Sequence, residues 1–155
     1  MALNIRLFST NNAKELSKMI FLVINELEKE NPTLVYQLVR DEDQPDELIK
    51  AAEKGKMWIA FENNIIVGTL SLEDKRLRRF FVHPNYQRQG IGRKLINTVI
   101  QHIKKNYIME IWVGAIMSAV PIYEKLGFKK VRQFFNKEIN QDEMEMKFSL
   151  NLKKN

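Results

Sequence analysis

The distribution of apolar and polar residues along the chain predicts an α/β protein. Apolar residues recur at helical spacing in four stretches, and between them lie short alternating or continuous apolar runs typical of strands. The predicted strands are residues 3–8, 57–61, 65–72, 76–82, 107–114, 129–135 and 143–150. With the helices, the order is β-α-α-β-β-β-α-β-α-β-β, which we interpret as a single domain spanning residues 1–155.

Local signals place the ends of the predicted helices. The first helix begins at a capping box from Asn12 to Glu15 and ends near residues 31–32, at an Asn-Pro pair. The second begins at Pro45 and stops at Gly55. The third carries Gly90 and Gly92 in its opening turn, and the fourth covers residues 118–126. Residues 32–44 are predicted to form a loop or a short helical turn.

Alternation assigns faces to two of the strands. In the last strand the apolar Met144 and Met146 alternate with Glu143 and Glu145, so the methionines are expected inside and the glutamates outside. In the strand 76–82, alternation places Arg76 and Arg78 on one face with Phe80 and Val82. Asn63 and Asn64 are predicted to form a two-residue hairpin turn.

Composition narrows the function classes. The chain has no cysteine and only two histidines, so disulfides, thiolate chemistry and a histidine metal cluster are excluded and no metal is expected. The N-terminus does not resemble a signal peptide, and no run of apolar residues is long enough to span a membrane. We therefore expect a cytoplasmic protein. The net charge of +6 favours anionic partners, although a solvated basic surface explains it equally.

The stretch from Gln87 to Gly92 predicts an anion-binding helix N-terminus. The first amides of a helix lack intrahelical acceptors, and glycines allow an anion to approach them. Residues 87–94 contain cations and no carboxylate, the reverse of the usual preference in a first turn. The spacing fits neither a Walker loop nor a dinucleotide fingerprint. A simple tight turn is the alternative interpretation of the two glycines.

Two segments resemble the GCN5-related N-acetyltransferase (GNAT) superfamily. Gln87, Gly90 and Gly92 match the Arg/Gln-x-x-Gly-x-Gly/Ala cofactor motif, after a strand that ends Val-His-Pro. The second segment, residues 119–128, matches Ala-x3-Tyr-x-Lys-x-Gly-Phe. The resemblance implies a mixed, largely antiparallel sheet flanked by helices, with a V-shaped gap between the strand ending at Val82 and the strand 107–114.

The resemblance also implies a function and its residues. An N-acetyltransferase would move an acetyl group from acetyl-CoA to a primary amine of a small molecule or a peptide. Tyr123 would protonate the leaving thiolate as the catalytic acid, although its position on an apolar helix stripe with Ile122 also suits simple packing. The implied cofactor-binding residues are Phe81, Val82, Gln87, Arg88, Gln89, Gly90, Ile91, Gly92, Arg93 and Lys125. Lys125 would reach an adenosine phosphate or simply be solvated.

The sequence departs from the family pattern at two functional positions. The strand 76–82 carries no carboxylate to act as general base, so Glu73 or Asp74 acting through water, or no dedicated base, are the alternatives. Ile116 stands where the family often has a cofactor-binding asparagine. Arg76 and Arg78 suggest an anionic acceptor if their face lines the acceptor site, and solvated arginines if it does not.

Three interpretations therefore remain open. The chain is an acetyltransferase, or a non-catalytic acyl-CoA-binding or sensor domain on the same fold, or a nucleic-acid-binding module. The last is disfavoured because the basic residues are interleaved with acidic ones, so we expect no nucleic-acid and no membrane partner. Related folds often form homodimers through their final strands, but nothing in the sequence requires it.

Overall fold

A computed structural model describes residues 2–30 and 34–150, which form a seven-stranded sheet in the order β1-β2-β3-β4-β5-β7-β6. The strands are β1 (Leu3–Leu7), β2 (Gly55–Glu62), β3 (Ile65–Glu73), β4 (Arg76–Val82), β5 (Glu110–Ile116), β6 (Lys129–Asn136) and β7 (Gln141–Ser149). The helices are α1 (Ala13–Glu30), α2 (Leu34–Glu42), α3 (Pro45–Glu53), α4 (Ile91–Lys105) and α5 (Val120–Lys125). Every strand pairing is antiparallel except that of β4 with β5.

The two faces of the sheet bury separate apolar clusters. One cluster joins the buried side of α4 to residues such as Leu77, Val113 and Met146, so α4 covers this face. The other joins α1, α2 and α3 to Met57, Ile59 and other residues of β2 and β3. We call these the α4 face and the α1 face. On the sheet, α1 packs mainly against β3 and β4.

A β-bulge in β4 changes which side chains share a face. Thr69 pairs with Phe81 and Ser71 with Arg78, so β4 contains one residue more than β3 between these pairs. Arg79 is the bulged residue and has a φ of 53°. Leu77, Phe80 and Val82 consequently belong to the α4-face cluster. The expectation that Phe80 and Val82 share a face with Arg76 and Arg78 is wrong, because strict alternation fails at the bulge.

The α4 helix and the β2–β3 hairpin agree with the sequence predictions. Helix α4 buries Leu95, Ile96 and Val99 along one side, as the spacing of its apolar residues predicts. Asn63 and Asn64 both have positive φ values, 50° and 66°, which a tight hairpin turn of the I′ type requires.

Several predicted ends differ from the structure. Asn12 lies in a 3-10 turn before α1, where its side chain accepts a hydrogen bond from the Ser9 amide at 3.0 Å, so the helix entrance lies upstream of the predicted cap. Gly55 begins β2 instead of stopping α3, and a Cβ there would meet Leu72 O at 2.1 Å. Strand β5 starts at Glu110 because Tyr107, at φ 57°, still belongs to the turn after α4.

The segment between α1 and α3 is also more regular than predicted. Its residues 34–42 form helix α2, where a loop or short turn was expected, and Tyr36 of this helix is buried in the α1-face cluster. The predicted stop of the first helix, at residues 31–32, lies outside the described residues; α1 itself runs to Glu30.

A buried ion pair fixes the end of α2 against β4. Arg79 Nε lies 2.6 Å from Asp43 Oδ1, and both side chains are less than a tenth exposed. Ser17 of α1 donates a hydrogen bond to the Asp43 carbonyl at 2.7 Å. The pair therefore links α1, the residue after α2 and the bulge of β4.

We expect Asp43→Ala to lower the free energy of unfolding by about 3 kcal/mol, because it removes the carboxylate at the buried Arg79 Nε and leaves this guanidinium only Glu73, 3.5 Å from its Nη1. Urea denaturation measures this change. Glu26→Ala is the control, since Glu26 pairs with Lys29 where both side chains are more than half exposed, and such pairs contribute about 0–1 kcal/mol. Equal losses in the two variants would contradict the role of the buried pair.

Candidate active site

Strands β4 and β5 part immediately after they meet. They share one pairing, Arg76 with Trp112, supported by a hydrogen bond from the Trp112 amide to Lys75 O at 2.8 Å. Beyond it β4 continues to Val82 and β5 to Ile116 without further pairing between them. A gap therefore opens in the sheet towards the ends of both strands, as the resemblance predicts. Its flanking main-chain groups are available to a ligand that lies between the strands.

The loop that follows β4 is held by local hydrogen bonds. The His83 amide donates to Val67 O at 2.8 Å, and His83 Nδ1 accepts from the Asn85 amide at 3.1 Å. Gln87 Nε2 donates to the Val82 carbonyl at 3.1 Å. The glutamine that opens the predicted cofactor motif thus ties the loop back to the end of β4.

The loop delivers a set of backbone amides to the start of α4. Arg88 and Gly90 both have positive φ values, 64° and 82°, and Gly90 is the N-cap of the helix. The first bond within the helix runs from the Lys94 amide to Gly90 O at 3.1 Å. The amides of residues 91–93 precede it and have no acceptor within the helix. They form an anion-binding N-terminus, which the helix dipole strengthens.

The two glycines have different roles there. A Cβ on Gly90 would have no heavy atom within 4 Å, so the space above this residue is open. A Cβ on Gly92 would lie 3.2 Å from Phe80 Cζ, so this residue allows α4 to approach β4 closely. Only Gly90 therefore leaves room for a ligand.

The other predicted cofactor residues fall into two groups. The side chains of Gln87, Arg88, Gln89, Arg93 and Lys125 are exposed, and Arg93 Nη2 donates to the Lys125 carbonyl at 3.1 Å. This bond brings the two motif segments together. Ile91 is buried in the α4-face cluster and Phe81 packs against the α1-face cluster. These two residues can contribute to a ligand site only through main-chain groups.

Tyr123 of α5 packs against the α4-face cluster, beside Phe80 of β4. Its ring is 6.1 Å from that of Phe80 on β4 and 5.6 Å from that of Phe128. Burial raises the pKa of the Tyr123 phenol to about 12, so the group stays protonated at neutral pH. Ile122, expected on the buried stripe of this helix, is 56% exposed. The tyrosine is thus the member of this pair that faces the protein interior.

A groove lies on the α1 face, beside the point where β4 and β5 part. It has a volume of about 390 Å³ and is lined by Arg76, Trp112, Arg132, Phe134, Phe135, Asn136, Lys137, Glu138, Glu143 and Glu145. The register explains this set: Trp112 and Gly114 of β5 lie opposite Lys147 and Glu145 of β7, and directly opposed residues share a face. Met144 and Met146 point to the α4 face instead.

Residues 23–148 match the family described as "Acetyltransferase (GNAT) domain". The chain belongs to this family. Among curated relatives, human N-acetyltransferase 8 is 34% identical over 54% of the chain. The [Ribosomal protein bS18]-alanine N-acetyltransferase of Escherichia coli strain K12 is 36% identical over 38% of it. The matched segments span less than half of each relative, 43% and 42%.

The fold agrees with solved GNAT structures. That of PaiA N-acetyltransferase from Thermoplasma acidophilum, in complex with coenzyme A, superposes with a TM-score of 0.81 at 17% identity. The alignment covers 97% of this chain and all of that one. The predicted GNAT fold, with its mixed sheet and separated central strands, is therefore confirmed. Among residues 2–30 and 34–150, no helix has both the length and the apolar character of a membrane span.

Sequence reasoning missed one carboxylate of this GNAT domain. Glu143 was expected on an exposed face, but it is only 6% exposed, and Asn136 Nδ2 donates to its Oε1. Alternation along β7 assigned Glu143 to the correct face, but the side chains that line the groove shield that part of the face from solvent. The burial of Glu143 could not be predicted from the strand pattern alone.

The carboxylates proposed from sequence have other surroundings. Glu73 lies 3.3 Å from Arg78 Nη1 and 3.5 Å from Arg79 Nη1. Asp74 is exposed in the β3–β4 turn. Glu73 is engaged by two arginines and Asp74 lies in a turn, so neither residue gains support from the structure as the general base.

The pKa of Tyr123 gives a testable pH dependence. Its folded value of about 12 exceeds the ordinary 10, so the folded state keeps the proton longer than the unfolded state. Wild type should therefore lose stability relative to Tyr123→Phe as pH rises from 10 to about 12. Urea unfolding at several alkaline pH values measures the difference. A difference in stability that does not change with pH would contradict the assignment. Burial also raises the pKa of Tyr36, but this residue is present in both proteins, so its contribution cancels in the comparison.

Proposed function

We propose that the chain is an acetyl-CoA-dependent N-acetyltransferase that acetylates a primary amine of a small molecule or a peptide. The observation that carries the proposal is the gap between β4 and β5, which opens beside the N-terminus of α4, with Tyr123 next to Phe80 of β4. An extended thioester needs a slot in the sheet, its diphosphate needs uncompensated amides, and its leaving thiolate needs a proton donor. These three features lie together in this GNAT domain.

The cofactor would bind mainly through the main chain. Its diphosphate would accept hydrogen bonds from amides between Arg88 and Arg93, and its pantetheine arm would lie along β4 near Phe81 and Val82. The exposed Lys125 would reach a phosphate, and the bond from Arg93 to the Lys125 carbonyl, which joins the end of α5 to the start of α4, supports this role. The coenzyme A bound in the Thermoplasma acidophilum structure supports this choice of ligand.

The transfer itself would proceed by direct attack. The neutral amine attacks the thioester carbonyl, a C–N bond forms and the oxyanion accepts a hydrogen bond from the Val82 amide. The C–S bond then breaks and the Tyr123 phenol gives its proton to the leaving thiolate. The nitrogen loses one proton to water, and the Tyr123 phenolate takes one proton back from solvent. The products are the acetamide and the free thiol of CoA.

A non-catalytic acyl-CoA-binding domain is the alternative that the sequence left open. It predicts a cofactor site without a route for an acceptor. The groove on the α1 face, beside the parting of β4 and β5, supports catalysis instead, because it provides such a route. The cytoplasmic location, the organisation of residues 1–155 as a single domain and the oligomeric state stay predictions.

We expect Gly90→Leu to weaken the affinity for CoA by at least about tenfold, because its side chain would occupy the open space over the amides that bind the diphosphate. Calorimetry measures the Kd. Asn64→Leu is the control: it places the same side chain at another positive-φ position, in the β2–β3 turn, and should bind CoA like wild type. If the wild-type domain, correctly folded, shows no affinity for CoA, the proposed function is wrong.

We expect Tyr123→Phe to lower kcat by about 10²-fold or more while the Kd for CoA changes little, because the variant lacks only the acid. Thiol release from acetyl-CoA in the presence of an amine panel measures turnover. Tyr107→Phe is the matched control, since the Tyr107 side chain is 88% exposed. Equal turnover in wild type and Tyr123→Phe would show that this phenol is not the proton donor.

A further inference from the structure

Among the described residues that line the groove on the α1 face, Arg76 is an arginine with no salt bridge or side-chain hydrogen bond to the protein. Arg78 pairs with Glu42 and Glu73, and Arg79 with Asp43 and Glu73. Arg76 instead lies over the Trp112 ring, its Cζ 4.8 Å from the ring centroid. Its Nε is buried and has no hydrogen-bond partner among the residues that the structure describes. A guanidinium with an unpaired buried N–H carries a poorly compensated charge, and a ligand anion bound at its Nη atoms would compensate that charge.

The groove places a buried carboxylate close to this arginine. A Cβ built on Gly114 would lie 3.5 Å from Glu143 Oε2 and 3.7 Å from Arg76 Nη2. Both groups therefore reach the same small space above Gly114. Asn136 donates a hydrogen bond to Glu143 Oε1, so Oε2 is the carboxylate oxygen that faces this space. Burial and the neighbouring Arg78 lower the pKa of Arg76, while Glu143 opposes this shift, so the two groups interact electrostatically.

Gly114 connects this space with the gap in the sheet. It lies on β5 two residues after Trp112, where β4 and β5 have already parted. The absence of a side chain leaves the groove open at this position. An amine held by Glu143 would therefore lie next to the gap in which the proposed thioester binds.

We propose that this groove binds an acceptor with an amine and a carboxylate a few ångströms apart, namely an α-amino acid with an apolar or aromatic side chain. Glu143 binds the amine and Arg76 binds the carboxylate. Trp112, Phe134 and Phe135 line the rest of the groove and provide the apolar surface for the side chain. A volume of about 390 Å³ suits a ligand of this size. The inference rests on the proposed function, which it narrows to one class of acceptor.

The test compares three acceptors that share one side chain: phenylalanine, phenylalaninamide and phenethylamine. Wild type should acetylate phenylalanine with a kcat/KM at least about tenfold above the values for the other two, since only phenylalanine offers the carboxylate. Arg76→Gln should abolish this preference by raising KM for phenylalanine alone. Glu143→Gln should lower kcat/KM for all three. Similar kcat/KM values for the three acceptors in wild type would overturn the proposal.

Matched controls separate local roles from effects on folding. Arg6→Gln removes an arginine that also lies over an aromatic ring, that of Phe61, at the opposite end of the sheet. Glu62→Gln neutralises another glutamate that is 6% exposed, on β2. Both variants should keep the wild-type preference. A loss of preference in either control, at unchanged thermal stability, would also contradict the assignment to Arg76 and Glu143.

The design distinguishes failure of this inference from failure of the proposed function. If CoA binds and amines lacking a carboxylate are acetylated as well as phenylalanine, the enzyme assignment holds and the amino-acid proposal falls. If no acceptor is acetylated, calorimetry with phenylalanine in the presence of CoA decides. Binding that Arg76→Gln weakens supports the groove as an amino-acid site without catalysis, and absence of binding overturns it.

Discussion

The parting of β4 and β5 after a single pairing is the constraint on which the rest of the site depends. A continuous ladder here would satisfy the main-chain groups internally and leave no slot for a ligand. The split persists because each strand is held on its other side: β4 by β3, and β5 by its full pairing with β7. Helix α4, packed below β3 and β4, then presents its free amides at the wide end of the gap.

The sheet also separates two chemical tasks onto its two faces. The α4 face carries the helix N-terminus, Phe80 and Tyr123, which suit a phosphorylated thioester. The α1 face carries Arg76, Glu143 and the aromatic side chains of the groove, which suit a small zwitterion. The gap between β4 and β5 connects the two faces. The three arginines of β4 all serve the α1 face: Arg78 and Arg79 hold the helical layer, and Arg76 is left for the groove.

Local patterns in the sequence were sufficient for the features that depend on nearby residues. The helix after Gly90, the Asn63-Asn64 turn and the succession of strands along the chain all follow from short-range signals, and the two family motifs identified the fold. Features set by distant contacts were not predicted. Helix α2 is held by Tyr36 in the α1-face cluster and by charged residues at its end that meet β4. The burial of Glu143 depends on residues across the β6–β7 hairpin, such as Asn136, and no periodicity in β7 reveals these contacts.

The bulge at Arg79 has a consequence for how β4 tolerates change. Because one extra residue resets the alternation, Leu77 and Phe80 reach the same face although three positions separate them. Deleting Arg79 would restore strict alternation, in which Leu77 and Phe80 still share a face, but it would remove the ion pair with Asp43. The extra residue is therefore not what places the phenylalanine beside Tyr123; it supplies the strand with an additional arginine that reaches the helical layer.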